Sequence, residues 1–200
     1  MADQVLIYIS AASDLGLECE ILGRAITEIP TTLAWRIIET PLTSEEPDLS
    51  ALVKAEIHLL MLGTDVRAPV GVEWLASRHA GHMPVLFLKT GVAHTPAAQA
   101  FKRELERHTR WRQFINALDL RKQVLILLSD HLLSEHEYYQ LTEQECDTLR
   151  EWRQGIKKTK RQQVNDTRGG ADNSSIILST ERYVPSEGVL LHDPKLPNSE

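Results

Sequence analysis

The stretch Ile57-His58-Leu59-Leu60-Met61-Leu62-Gly63-Thr64-Asp65-Val66-Arg67-Ala68-Pro69-Val70-Gly71-Val72-Glu73-Trp74 decides the architecture. Its first six residues are almost wholly apolar, the pattern of a parallel strand covered on both faces. Pro69 suits the first turn of a helix, where its missing N–H costs nothing and its fixed φ is already helical. Strand therefore passes to helix through a short turn, with Asp65 and Arg67 in the turn and Glu73 just inside the helix. In an open α/β sheet such junctions line the ligand crevice. Acidic groups there suit sugar hydroxyls or a cationic transition state better than bare phosphate.

The same alternation extends in both directions. Val5-Leu6-Ile7-Tyr8-Ile9 reads as a buried strand, and residues 10–14 as the loop after it, with Ser13 or Asp14 able to cap the next helix. That helix covers about 15–28 and stops at Pro30. A second strand is expected over 33–38, a polar loop over 41–48 and a short helix over 49–54. Beyond the central stretch, Gly81 ends the helix begun at Pro69. A fourth strand follows over 84–88, a helix from Thr95-Pro96 to about 108, a short strand over 111–115 and a helix over 118–133. Strands alternating with helices imply parallel pairing, right-handed crossovers and helices on both faces. The expected fold is a flavodoxin-like α/β three-layer sandwich of about five strands in the order 2-1-3-4-5. Its topological switch point lies between the first and third strands.

The domain is expected over 1–135, followed by a C-terminal helical segment over 136–161. Thr142-Glu143-Gln144-Glu145 is a capping box there. Residues 162–200 read as a flexible tail with a short strand at Ser175-Ile176-Ile177-Leu178-Ser179. Composition is that of an ordinary soluble protein, with 42% hydrophobic and 25% charged residues. A net charge of −6 argues against nucleic-acid binding by the whole molecule. No apolar run reaches the roughly 20 residues of a membrane helix, and the N-terminus has no basic n-region. The two cysteines, Cys19 and Cys146, stand far apart, as reduced thiols in a cytoplasmic protein do.

Glu73 is the candidate catalytic carboxylate. At a helix start it can simply favour the helix dipole. Facing the crevice it could attack, or electrostatically support, the oxocarbenium ion formed when an N-glycosidic bond breaks. Asp65 either receives sugar hydroxyls or caps the helix region. Ser10 and Asp14 are loop and cap residues that also face the expected crevice. Arg67 and Lys89 could neutralise a phosphate, or be solvated. Gly63 and Gly71 would permit close backbone approach to a ligand. No metal site is expected, because the histidines lack partners at ligand spacing. Phosphate-loop, dinucleotide-fingerprint and nucleophile-elbow motifs are absent. The basic run from Arg150 to Arg161 reads as a solvated helix face, with an electrostatic partner as the alternative.

Residues 4–133 resemble the TIR-like and nucleoside-deoxyribosyltransferase-like group of flavodoxin-type domains. The resemblance rests on Val5-Leu6-Ile7-Tyr8-Ile9-Ser10 with Asp14-Leu15 and Glu18, and on residues 55–62 followed by Val72-Glu73-Trp74 and Met83-Pro84-Val85-Leu86. Ala11 and Cys19 replace a serine and an arginine of an uncharacterised bacterial subgroup, and Pro69-Val70 stands where TIR enzymes carry Trp-Cys. The resemblance implies that Glu73 is the catalytic glutamate and that Asp65 contacts a sugar. It implies NAD or a nucleoside as substrate, with no separate cofactor. It equally implies a non-catalytic adaptor or nucleotide sensor of bacterial signalling or defence, working through self-association or a protein partner.

Overall fold

The computed structural model describes residues 4–41 and 45–165. Five strands form one parallel sheet: β1 (Gln4–Ala11), β2 (Ala34–Glu39), β3 (Ile57–Leu62), β4 (Val85–Lys89) and β5 (Arg112–Phe114). Their order across the sheet is β2-β1-β3-β4-β5, the flavodoxin-like order. Register is set by pairs such as Tyr8 with His58 and Ile9 with Leu59 on β1 and β3. Every residue of β3 is buried, as its unbroken apolar run requires of a central strand.

The period-2 alternation of β1 divides the core. Val5, Ile7 and Ile9 face one side, where Leu59, Met61, Phe87 and Phe114 join side chains of α1 (Gly16–Ile26) and α5 (Ala117–Ser134). On the other side, Tyr8 packs with Leu52 of α2 (Leu49–Lys54). Leu60 and Leu86 pack there with Val70 and Trp74 of α3 (Ala68–His79) and Leu105 of α4 (Pro96–Glu106). The chain thus moves from one face to the other between β2 and β3, and β1 and β3 flank the switch point.

Local chemistry sets the helix ends. Pro69 lies in the first turn of α3. Gly81, at φ 78°, follows its last turn in the left-handed region that suits glycine. Thr95 and Asn116 cap α4 and α5 by accepting the N–H of Ala98 and Asp119. α1 departs from expectation. It is preceded by a 3-10 turn, Ser13–Leu15, and no side chain caps either. Asp14 is used elsewhere, as described below.

α6 (Glu143–Asn165) opens with the expected capping box. Glu145 N–H donates to the Thr142 hydroxyl at 3.2 Å, and the Thr142 N–H donates back to Glu145 Oε2 at 3.0 Å. Its apolar stripe is part of the core: Leu149 is fully buried, and Trp152 and Ile156 pack on the α1–α5 cluster. Among the described residues no helix is long and apolar enough to cross a membrane. The strand expected at 175–179 and the tail lie outside the described residues.

Candidate functional site

Residues from β1, the end of β2 and α3 meet at one carboxylate. Glu73 is on the sheet-facing side of α3 and is 0% exposed. The Tyr8 hydroxyl donates to its Oε1 at 2.9 Å, and the Thr40 hydroxyl to its Oε2 at 2.7 Å. The Ser10 hydroxyl stands in the same cluster and, with these two, favours the ionised carboxyl. Burial pushes the Glu73 carboxyl above the usual carboxylate range, against the downward pull of the three hydroxyls. The Tyr8 hydroxyl is pushed up as well, first by burial and then by Glu73.

The polar cluster continues under β3. His58 Nε2 lies 2.8 Å from Ser10 Oγ, and its Nδ1 lies 3.0 Å from Ser77 Oγ. The Ser77 hydroxyl reaches the His82 carbonyl at 3.2 Å. The imidazole stands edge-on to the Tyr8 ring, centroids 5.8 Å apart. Burial, helped by His82, holds His58 down to about 3, so the ring is neutral in the fold at neutral pH.

The open space lies next to this cluster. A cleft of about 300 Å³ opens at the carboxyl ends of β1 and β2 beside α1. Ile9, Ala11 and Ala12 make its apolar floor, while Cys19, Glu39 and Thr40 carry its polar atoms. Thr40 belongs to both environments: it lines the cleft and touches Glu73. The Ala11 N–H donates to the same hydroxyl oxygen at 3.2 Å, which fixes its position. Burial pushes the Glu39 carboxyl up. The Cys19 thiol is pushed up to about 12, so it is not a thiolate nucleophile at neutral pH.

The other sequence-predicted residues take different places. Asp14 bridges the loops after β1 and β3, accepting from the Thr64 N–H at 2.6 Å and the Thr64 hydroxyl at 2.7 Å. This clasp spans the switch point. Gly63 is required beneath it, since a Cβ there would lie 3.0 Å from Asp14 Cγ and 3.1 Å from Leu15 Cδ2. The close approach at Gly63 is thus to Asp14. A Cβ at Gly71 would meet nothing within 4 Å, so no crowding calls for glycine there. Asp65 is exposed and accepts from the Thr95 hydroxyl at 2.6 Å, a bond that holds its carboxyl low. Arg67 precedes α3 and its Nη1 reaches the Pro41 carbonyl at 3.4 Å. Lys89 pairs with Glu18 of α1 at 2.7 Å.

Of the predicted set, Ser10 and Glu73 belong to one polar cluster with Tyr8 and His58, and Asp14 with Gly63 forms the neighbouring clasp. Asp65, Arg67 and Lys89 each hold a different loop or helix. The sequence reading did not pick out Tyr8, Thr40 and His58. A lone histidine inside the apolar run of β3 was the available signal. The register that sets it beside Tyr8 and Ser10 is not written in either strand alone. Among the described residues, no three histidine, cysteine or acidic side chains stand close enough to share a metal ion.

No protein-family model, curated protein or solved structure matches this chain. Strand order and layering define its class as a flavodoxin-like α/β domain.

Proposed function

We propose that this chain is a TIR-like, cytoplasmic nucleotide-binding domain that takes a ribose-bearing ligand in the β1–β2 cleft. There it cleaves or transfers at the N-glycosidic bond through Glu73. The observation that carries this reading is a buried carboxyl at the carboxyl edge of the sheet, one side chain, Thr40, from an open cleft.

The raised proton affinity of Glu73 favours one role over the others. A carboxyl whose proton affinity is raised is better suited to act as a general acid, protonating a departing base, than an ordinary carboxylate is. The neutral purine or pyrimidine of a nucleoside leaves more easily once protonated. The nicotinamide of NAD already carries its positive charge and needs no proton. A nucleoside is therefore the favoured substrate class, and NAD the weaker alternative. The cleft volume sits at the lower end of small-molecule sites, which suits a nucleoside better than a dinucleotide.

A second reading has its own support. Glu73 is fully covered and its oxygens are engaged by hydroxyls, as in a purely structural network. On that reading the chain is an adaptor or sensor module.

Incubation with purine and pyrimidine nucleosides and, separately, with NAD decides between them, with free base or nicotinamide followed by chromatography. Release that is lost in Glu73→Gln is the expected result. No release and no thermal stabilisation by any nucleoside would overturn the ligand reading in favour of the adaptor.

A further inference from the structure

Two carboxyls, Glu20 and Glu39, line the cleft beside α1, and no lysine, arginine or histidine lines it with them. Glu20 is engaged, paired with Arg24 one turn further along α1. Glu39 is not. It is exposed at the end of β2, and among the described residues no side chain or backbone N–H donates to its oxygens. Its inner side is covered enough for burial to push the carboxyl up, with no hydrogen bond to pull it back. Glu145 shows the opposite case: N–H and hydroxyl groups of Thr32 and Thr142 all donate to it and hold it down to about 2. Glu39 is therefore an acceptor set into a cleft wall without donors of its own.

The cleft constrains what those donors can be. A phosphate would meet an unpaired carboxylate and no cation, so charge excludes it. A vicinal diol brings two O–H donors and no charge, and a carboxylate has two oxygens to accept them. The floor beneath, Ile9, Ala11 and Ala12, is apolar and suits the carbon face of a sugar ring. Strand geometry adds a direction. Glu39 pairs in register with Ile9 and so faces the α1 side of the sheet. Thr40, the next residue, lines the same cleft and donates to Glu73 at 2.7 Å. The last two residues on this stretch thus divide between the cleft wall and the carboxyl of α3.

We infer that Glu39 is the ribose-binding residue of the cleft, accepting the 2′ and 3′ hydroxyls of an unphosphorylated ribonucleoside. C2′ is bonded to the anomeric carbon. Holding the 2′ hydroxyl at Glu39 therefore keeps the anomeric carbon within one bond of the anchored atom, on the stretch of chain that leads through Thr40 to Glu73. A 2′-deoxyribose leaves one carboxylate oxygen without its donor, so the cleft selects ribose over deoxyribose. This assignment rests on the reading of the cleft as a nucleoside site, and it adds which sugar is taken and which residue chooses it.

Isothermal titration calorimetry on the full-length chain tests it, with adenosine, uridine, their 2′-deoxy forms and 3′-deoxyadenosine as probes. A ribonucleoside is expected to bind on the order of tenfold more tightly than its deoxy forms, the contribution of one charge-assisted hydrogen bond at a partly open site. In Glu39→Ala the ribonucleoside should fall to the level of the deoxy forms, whose own affinity stays unchanged. A general loss of the fold or of the cleft would weaken all the probes together and would not remove the preference selectively. Equal binding of ribo- and deoxynucleosides to the native chain would overturn the assignment, as would a ribose preference that survives Glu39→Ala, and in both cases the nucleoside reading stands. The native comparison decides the matter even where the variant does not fold. No binding of any probe overturns both readings. Ribose-selective binding without release of base supports Glu39 and removes only the catalytic role of Glu73.

Discussion

A carboxyl held by two hydroxyl donors and cut off from solvent makes opposite demands on its two protonation states. Glu73→Ala removes the acceptors of Tyr8 and Thr40 together. Stranding buried hydroxyls makes a loss on the order of 2–4 kcal/mol the expected result in denaturant unfolding at pH 7. Glu73→Gln keeps the shape and the carbonyl acceptor, and removes a charge that burial disfavours. It is expected to unfold at the same or a higher temperature than the native chain. The pH dependence separates two groups. The Glu73 carboxyl is raised above its ordinary 4.5, so its contribution to stability is fully present below that value and is lost as pH rises through the folded value. His58 is depressed from 6.5 to about 3, so its contribution is present above pH 6.5 and lost as pH falls toward 3. The two limbs oppose one another in the native protein. In Glu73→Gln the opposing Glu73 limb is removed, and the His58 contribution should climb with pH between about 3 and 6.5, by up to roughly 1.4 kcal/mol per pH unit. A flat profile in that variant would mean His58 is already protonated in the fold. Glu73 was legible in the sequence because a carboxylate after a strand-turn-Pro junction has a defined position. Tyr8, Thr40 and His58 were not, because their roles depend on which strands are neighbours and in what register.

At the level of elements, the loops after β1 and β3 are joined by one carboxylate, and that joint explains one glycine and leaves another unexplained. Gly63→Ala drives a methyl into the Asp14 carboxylate and the Leu15 side chain. Displacing Asp14 costs its two bonds to Thr64, a loss of roughly 1–3 kcal/mol. Gly71→Ala meets open space within a helix, where alanine is better than glycine by about 0.5–1 kcal/mol. The two variants should therefore move the melting temperature in opposite directions. A drop in both would mean that the fold does not tolerate a side chain at position 71. Most elements were readable beforehand for a common reason. Pro69, Gly81, Thr95-Pro96 and the Thr142–Glu145 box act within a turn of where they stand, and the apolar periods between them fix the type of element. Residues 13–15 were misjudged because Asp14 has the chemistry of a helix cap but is claimed by Thr64, fifty residues away. Local pattern does not reveal such a competitor.

Across the whole molecule, the helix beyond the five-strand unit completes the core. α5 exposes one side to α1 and the other to α6, and Leu128, Leu132 and Tyr139 are buried in the same cluster as Leu149. Two of the basic residues on α6 are paired: Arg150 with Asp147, and Arg153 with Asp130 on α5. Apolar burial, then, is what binds α6 to the rest. Leu149→Ala leaves a cavity under a fully covered position and is expected to cost roughly 2–4 kcal/mol. For a chain of this size that lowers the melting temperature by on the order of 5–15 °C. Arg153→Ala breaks a pair that is partly open to solvent and should cost less than about 1 kcal/mol. Circular dichroism melts of the two variants beside the native chain make the comparison. A single cooperative transition shifted by Leu149→Ala means that α6 folds with the sheet, so a chain cut at residue 135 would expose the α5 core. Two transitions, with only the smaller one shifted, would make α6 an independent appendage and its contact with α5 a secondary one.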